Sequence, residues 1–215
     1  MPGMFKAAHR AFQDRFGTRR LADRVVELSW KDDISEEARI FIESRDMFFL
    51  ATVDVEGRPT CSYKGGAPGF VSVVGPRTLA FPSFDGNGMY LSAGNISANP
   101  EVGLLFIDFE KGNRLRVQGR ASVRDDDPLL RSHAKAELIV RVEVSVLFPN
   151  CPRYVHRYRK EAQSAFVPHA DCEQPLVDWK RLDLVHDALP EPDRARVEAA
   201  GGPITREEML RNGQR

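Results

Sequence analysis

The chain has 215 residues, of which 42% are hydrophobic, and its 31 Lys and Arg residues balance 31 Asp and Glu residues. This length suits one ordinary domain with terminal extensions, and no run approaches the ~20 apolar residues of a membrane-spanning helix. The balanced charge gives no sign of a nucleic-acid partner or of an anionic membrane surface.

The first 46 residues have the spacing of helices. Phe12 and Phe16 lie near one helical face. Ser35 is followed by two glutamates, which is typical of an N-cap with acids on the first turn, and it predicts a helix that continues to Arg45. Residues 1–46 are therefore expected to be an N-terminal helical extension.

Short strands separated by turn residues begin at residue 47. The expected strands are Met47–Val53, Thr60–Lys64, Phe70–Val74, Thr78–Phe81, Val102–Asp108, Leu115–Val123 and a last one through Val142–Phe148. Pro82 should end the fourth strand, and helices are expected at about Met89–Ala98 and after Asp125–Pro128. Such a series fits a closed barrel, because closure removes exposed sheet edges. Beyond Asn150 the chain is polar, and no second core is expected.

The loop Ser83–Gly88 and the helix behind it form the first candidate site. Small residues let backbone N–H groups approach a ligand, and the N-terminus of a helix favours an anion. Ser92 and Asn95 are three residues apart, so they share a helical face that could hold a phosphate or the polar edge of a flavin. The alternative, which spacing alone favours, is an ordinary connection in which Asn87 shapes a turn.

Two strands carry further candidates. Along Thr60–Lys64 a flat heterocycle could pair with backbone groups, and Lys64 could oppose negative charge on a reduced ring. The alternative is a solvated edge strand with Lys64 as a protective charge. Arg114 and Arg116 project from one side of a later strand and could clamp an anion, or they could form ordinary surface ion pairs.

Cysteine and histidine usage gives little chemistry. Cys61, Cys151 and Cys172 occur without a CxxC motif, which suits a reducing compartment and predicts a cytoplasmic protein. Cys151 has His156 nearby, but a cysteine before proline is more often a packed side chain than a nucleophile. The five histidines form no spaced cluster, so no metal site is expected.

Three runs resemble the FMN-binding split barrel of pyridoxamine 5'-phosphate oxidase and its relatives: RDMFFLATVDVEGRPTCSYKGGAPGF, RTLAFPSFDGNGMYLSAGNISANPEVGLLFIDF and RLRVQGRA. With VLFPNCPRYVHR and AFQDRFGTRRLADR, they resemble most closely the bacterial flavin-nucleotide-binding group of that family. The resemblance implies a mainly β fold with flanking helices, namely a six-stranded antiparallel split β-barrel over residues 47–160, with residues 161–215 as a C-terminal extension. It also implies a homodimer with FMN at the interface.

By the same resemblance, the flavin is held by the strand that ends at Lys64, the segment before the loop, the inserted helix and the later arginine strand. The expected cofactor-binding residues are Thr60, Cys61, Ser62, Tyr63, Lys64, Pro82, Ser83, Asn87, Ser92, Asn95, Arg114 and Arg116. The true oxidase has a basic pair on the helix that meets the FMN phosphate, where this chain has Leu91 and Ser92. The true oxidase also has a C-terminal segment that binds the phosphate and ring of its vitamin substrate. Trp179–Arg215 contains no convincing counterpart of that segment.

We therefore expect an FMN-dependent oxidoreductase that is related to the true oxidase but distinct from it. Its small-molecule substrate is not defined by the sequence. Because the chemistry belongs to the cofactor, no side chain is singled out as an obligatory acid or base. The alternatives are a non-catalytic flavin-binding or redox-sensing module, and a split barrel that uses the deazaflavin F420 or haem.

Overall fold

The computed structural model describes residues 4–168 and 174–211. Contacts between Cα atoms divide the chain into two compact units, Met1–Gln163 and Ser164–Arg215. His169 and Cys172 lie outside the described residues. The domain boundaries expected after residues 46 and 160 stay a prediction.

Three helices precede the sheet. They are α1 (Ala7–Arg15), α2 (Arg19–Ser29) and α3 (Glu36–Glu43). The Ser35 hydroxyl accepts a hydrogen bond from the backbone N–H of Ala38 at 3.3 Å, which confirms the predicted N-cap. Ile42 on α3 is fully buried in the core, so this helix is anchored by its apolar face.

One antiparallel sheet forms the body of the first unit. Its strands are β1 (Met47–Val53), β2 (Pro59–Gly65), β3 (Ser72–Gly75), β4 (Thr78–Phe84), β5 (Glu101–Ile107), β6 (Arg114–Arg124) and β7 (Ala136–Asn150). The order across the sheet is β2-β1-β5-β6-β7-β4-β3. The predicted mainly β fold with flanking helices is confirmed.

The prediction of six strands in a closed barrel is wrong. The sheet has seven strands, and within the described residues β2 and β3 form its two ends without pairing to each other. After β2 the chain turns tightly at Gly66, where an added Cβ would lie 2.4 Å from Cγ of Phe70. Phe70 and Val71 then enter the core, and the short β3 pairs with β4 instead. The sheet therefore stays open between its two end strands.

Pro82 does not end β4 as predicted, because the strand continues to Phe84. β3 pairs with β4 only as far as Ala80, so beyond that point β4 has a strand neighbour on one side only, in β7. A proline lacks a backbone N–H, and it is tolerated in a strand where that donor is not needed for the ladder. Pro82 lies opposite Ile139 of β7.

The two later helices also differ in detail from the prediction. The inserted helix, α4 (Leu91–Ala98), begins after Tyr90, whose backbone is left-handed with φ 47°. The helix predicted near Pro128 is a 3-10 helix, Pro128–Ser132, capped by the carboxylate of Asp127. Single turns of this kind are common connectors between strands.

Aromatic rings fill the centre of the first unit. The ring of Phe48 contacts Phe81 edge to face at a centroid distance of 4.9 Å and lies 5.1 Å from that of Phe106. All three side chains are essentially buried. Such pairs add to the stabilisation that comes from removing the rings from water.

Short helices make up the second unit, and the expectation of no second core stays a prediction. Its helices are a 3-10 helix (Asp178–Arg181), α5 (Asp183–His186), α6 (Glu191–Ala199) and α7 (Arg206–Arg211). Val197 is fully buried, and the buried Lys180 ammonium pairs with Asp193 at 2.8 Å. Across the parts of the chain that the structure describes, no helix combines the length and apolarity needed to span a membrane.

Candidate functional site

Polar side chains occupy the core-facing side of β2. Thr60, Ser62 and Lys64 alternate along this strand and lie opposite the buried β1 residues Thr52, Leu50 and Phe48, respectively. Directly opposed residues in an antiparallel pair share a face of the sheet. Three polar groups therefore point toward the side of the sheet that is otherwise apolar.

Helix α4 supplies partners for these groups. The Ser92 hydroxyl lies 3.2 Å from that of Ser62 and accepts a hydrogen bond from Lys64 Nζ at 3.2 Å. Asn95, only 7% exposed, donates from Nδ2 to the Thr60 hydroxyl at 3.3 Å and to that of Thr52 at 3.0 Å. The predicted common face of Ser92 and Asn95 is thus the face of α4 that meets β1 and β2.

Lys64 is the charged member of this polar cluster. Burial lowers the pKa of its ammonium, and no carboxylate among the described residues forms an ion pair with it. Ser92 is the second residue of α4, so the ammonium lies at the helix end where unpaired N–H groups carry partial positive charge. Two sources of positive potential converge there, and an anion would be favoured by both.

The loop before α4 is organised by its own side chains. The Asn87 carbonyl accepts a hydrogen bond from the backbone N–H of Met89 at 3.1 Å, which is a local turn on an exposed residue. Tyr90 donates from its hydroxyl to Glu137 at 2.9 Å. The Asn87 side chain therefore shapes this turn, and its contact with a cofactor stays a prediction.

Cys61 and Tyr63 lie on the opposite, outer face of β2, and both are exposed. Tyr63 pairs in register with Phe49, Phe49 with Leu105, and Leu105 with Arg116. This row places Arg116 on the outer face as well. Within one chain, the arginine strand and the polar cluster of β2 therefore lie on opposite faces of the sheet.

Arg114 and Arg116 have partners at the end of β7. Arg114 donates from Nη2 to the carbonyl of Cys151, and Arg116 donates from Nη1 to the side-chain carbonyl of Asn150. The buried Nε of Arg114 has no hydrogen-bond partner within the described residues. The two guanidinium groups fasten the chain after β7, and the Nε–H donor of Arg114 is unused within the described residues.

Pro82 and Ser83 lie on β4, opposite Ile139 and Leu138 of β7. Among the described residues, no side-chain hydrogen bond joins Ser83 to the polar cluster. The described residues also include no group of three His, Cys, Asp or Glu side chains that could hold a metal ion. The structure thus brings five of the predicted residues together, namely Thr60, Ser62, Lys64, Ser92 and Asn95.

Thr52 is a member of the cluster that sequence reasoning missed. It is 1% exposed and accepts a hydrogen bond from Asn95. It occupies a place in the alternation of Phe48 and Leu50 where an apolar residue is expected. A buried threonine in an apolar strand requires a hydrogen-bond partner, and that requirement was the available signal.

The family of the chain follows from a sequence comparison. A family model described as pyridoxamine 5'-phosphate oxidase matches residues 34–144, about half of the chain. The chain belongs to the pyridoxamine 5'-phosphate oxidase family. No curated protein matches it.

Solved structures resemble this family member only distantly. HupZ of Group A Streptococcus is 16% identical, with 59% of this chain and 99% of that one covered and a TM-score of 0.45. An FMN-binding protein of Syntrophomonas wolfei is 12% identical, with 65% and 97% covered and a TM-score of 0.39. HutZ, a heme storage protein of Vibrio cholerae, is 21% identical, with 55% and 91% covered and a TM-score of 0.37.

The family match contains the polar cluster and Arg114 and Arg116 of β6, but it ends before the close of β7. The segment after Asn150, which Arg114 fastens through the Cys151 carbonyl, therefore lies outside it.

Proposed function

We propose that this member of the family binds FMN and acts as a flavin-dependent oxidoreductase on a small molecule. Family membership supports a cofactor of this class. The observation that carries the proposal is the environment of Lys64, a half-buried ammonium that meets hydroxyl groups and a helix N-terminus but no carboxylate among the described residues. A cation kept in that setting is poised for an anionic ligand.

The residues present fit a flavin. β2 is an end strand of the sheet, so every second residue presents its backbone N–H and C=O away from β1. These groups suit the alternating donors and acceptors along the polar edge of a flavin ring. Lys64 and the first turn of α4 would oppose the negative charge of the ring or of the phosphate.

Bound FMN would supply two-electron transfer between a donor and an acceptor. The protein's part is to bind and orient. Ser92 fixes the Lys64 ammonium, and Asn95 holds α4 against β1 and β2 through Thr52 and Thr60. These contacts keep the positive charge at one position, which is how a preorganised site stabilises charge that develops during a reaction.

We further propose a homodimer in which the outer-face arginine strand of one chain completes the site of its partner. Lys64 and Arg116 lie on opposite faces of one sheet, so a single chain does not bring them to one ligand. A two-fold axis that places the outer face of one sheet against the β2 end of the other would bring Lys64 of one chain and Arg116 of its partner to the same ligand. Symmetry would form this site twice in each dimer.

The first experiment is an absorption spectrum of protein purified without added cofactor, with mass analysis of whatever heating releases. Flavin bands and released FMN would support the proposal, whereas a colourless protein that also fails to bind added FMN would refute it. Release of F420 or haem would keep the fold and overturn the cofactor. The spectrum should be repeated after dialysis against FMN, so that loss during purification is not scored as failure.

Mixing two variants tests the shared site. Lys64→Met and Arg116→Glu chains should each retain FMN poorly as homodimers. After unfolding and refolding together, mixed dimers would contain one site with both native residues, so FMN capacity should return to roughly a quarter of wild type. The same mixture with Lys111→Met in place of Arg116→Glu, an exposed lysine outside the cluster, controls for refolding. No recovery in the first mixture would place both residues in one chain's site, whereas full FMN retention by Arg116→Glu homodimers would remove Arg116 from the site.

A non-catalytic flavin-binding module is the second candidate. The polar cluster is made of hydroxyls, one amide and one ammonium, and the described residues add no carboxylate or imidazole to it. Many turnovers of reduced nicotinamide per flavin would favour the enzyme. A single reduction without turnover, tested with several acceptors, would favour the module.

A further inference from the structure

The segment Cys151–Lys160, called the strap here, crosses one edge of the first unit. It starts where Arg114 holds the Cys151 carbonyl. Pro152 follows against Gly112, where an added Cβ would lie 3.2 Å from Cβ of Pro152. The strap has no helix or strand of its own, so these contacts and those further along determine its course.

The far end of the strap is held in three ways. The Tyr158 backbone N–H donates to the Phe109 carbonyl at 3.2 Å, and the two rings meet edge to face at 5.4 Å. Lys160 forms an ion pair with Asp46 at 2.6 Å. The strap is therefore a positioned part of the fold, anchored at both ends on loops and strand ends of the sheet.

Between these anchors the strap displays cations and an aromatic ring. Arg153, Arg157 and Arg159 are exposed, and none has a side-chain hydrogen bond or ion pair among the described residues. Tyr154 is 89% exposed, and its φ is 67°. A left-handed backbone conformation is unfavourable for tyrosine. Holding Tyr154 exposed in this conformation therefore lowers the stability of the folded strap.

This concentration of charge is local. Lys and Arg balance Asp and Glu over the whole chain, yet the strap contains Arg153, Arg157, Arg159 and Lys160 within eight residues, with Tyr154 and Tyr158 between them. Guanidinium groups bind phosphate through paired hydrogen bonds, and an exposed aromatic face stacks on a base. A nucleic-acid polymer would need a longer basic path along the surface, so the strap fits a small ligand better.

The strap also reaches the end of β2 that carries Lys64. Tyr63, the residue before it, has its pKa raised by burial and by the nearby charge of Asp46, and the charge of Lys160 counters that effect. Asp46 and Lys160 therefore lie close enough to Tyr63 for their charges to act on it. The anchored end of the strap is thus next to the strand on which the flavin is proposed to lie.

We propose that the strap binds the phosphates and base of a nicotinamide dinucleotide, the electron donor of the flavin. Arg153, Arg157 and Arg159 would hold the diphosphate, and Tyr154 would stack on the adenine. The role rests on the proposed FMN-dependent activity: the C4 hydrogen of the reduced nicotinamide would move with its electron pair to the flavin as a hydride, so that the C4–H bond breaks, the nicotinamide is oxidised to the pyridinium and the flavin, which gains the hydrogen, is reduced by two electrons.

The test is calorimetric titration of the full chain, loaded with FMN, with NADPH and with ADP as a probe of the diphosphate site. Under anaerobic conditions with FMN removed, the same titrations report binding without turnover. Arg153→Ala/Arg157→Ala/Arg159→Ala should weaken both ligands about tenfold or more, since several charge-assisted contacts are lost. Tyr154→Asn, which keeps a residue tolerant of positive φ, should weaken them several-fold by removing the stacking face.

The matched control is Arg20→Ala/Arg131→Ala/Arg206→Ala, which removes three exposed arginines elsewhere and should leave both affinities unchanged. Affinity of wild type should also fall with added salt, because exposed charges are screened. FMN retention is measured in every preparation. If wild type retains FMN but does not bind NADPH or ADP, or if the strap and control variants behave alike, the strap proposal is overturned while the proposed function stands. Absence of FMN from wild type would instead overturn the proposed function.

Discussion

Two half-buried cations on the same sheet, Arg141 and Lys64, have opposite surroundings. Arg141 on β7 meets the buried carboxylate of Asp127 through two hydrogen bonds, at 2.5 and 3.0 Å. Lys64 on β2 meets the hydroxyl of Ser92 and, within the described residues, no carboxylate. The first cation is internally neutralised and holds the fold together, whereas the second leaves a charge for a ligand to neutralise. Burial of a cation therefore indicates a site only when its counter-charge is missing.

The pKa shifts of Asp127 and Lys64 agree with this difference between the two cations. Hydrogen bonds from Arg141 lower the pKa of the Asp127 carboxyl, in spite of its burial. At Lys64 burial alone lowers the pKa of the ammonium. One environment favours its charged group, and the other penalises it.

Removing the charge of Asp127 should have the largest effect on stability. In Asp127→Asn the Arg141 guanidinium loses its buried carboxylate, at a cost of about 2 kcal/mol in free energy of unfolding, while asparagine can still cap the 3-10 helix at Pro128–Ser132. Urea unfolding of both proteins at neutral pH measures the difference. Equal midpoints would contradict a structural role for the pair.

Asp126→Asn is the matched control for that comparison. Asp126 pairs with Arg124 by two hydrogen bonds of 2.8 and 3.0 Å, but both side chains are more than half exposed. Exposed pairs contribute little because water solvates the separated charges well. We expect no measurable change in the unfolding midpoint for this variant.

The pH dependence of the Asp127 pair follows from the lowered pKa of its carboxyl. The unfolded chain takes up the proton first, near the ordinary aspartate pKa of about 3.9. The contribution to stability is therefore present above that pH and is lost as the pH falls through the folded-state pKa. Asp127→Asn should remove this part of the acid sensitivity.

Much of the fold, but only part of the candidate functional site, could be predicted from the sequence. The Ser35 cap and the alternation of Leu115 and Val117 with arginines depend on neighbouring residues, so local pattern was enough. That the side chains of Lys64 and Arg116 lie on opposite faces of the sheet could not be predicted from the sequence. It depends on the registers that link β2, β1, β5 and β6, and period-two alternation within one strand does not fix the face of a distant one.

The open sheet and the end of β4 were missed for a related reason. Pro82 was expected to stop β4, but its effect depends on whether a neighbour needs its N–H, and β3 pairs no further than Ala80. Closure likewise depends on where β3 finds a partner. Both are properties of the assembled sheet, which a single strand sequence does not contain.

Replacing the unpaired cation tests the other half of the comparison. Lys64→Met keeps most of the apolar length of the side chain and removes the charge, so FMN affinity should fall about tenfold through loss of a charge-assisted contact. Fluorescence titration with FMN measures this change. The control is Lys111→Met, an exposed lysine in the turn between β5 and β6, which should bind FMN like wild type. Unchanged affinity in Lys64→Met would remove the ammonium from the flavin site.

The smallest expected effect is that of Lys64→Met on the stability of the ligand-free protein. Unlike Asp127→Asn, this substitution should not lower the free energy of unfolding at neutral pH. The folded state lowers the pKa of Lys64, so between that pKa and the unfolded value of about 10.4 the unfolded chain holds more protons. Stability of wild type should therefore rise with pH across that window, by a few tenths of a kcal/mol because the ammonium is only partly buried. Lys64→Met should lack this rise and be at least as stable as wild type at neutral pH. A marked loss of stability would mean that Lys64, like Arg141, has a structural partner.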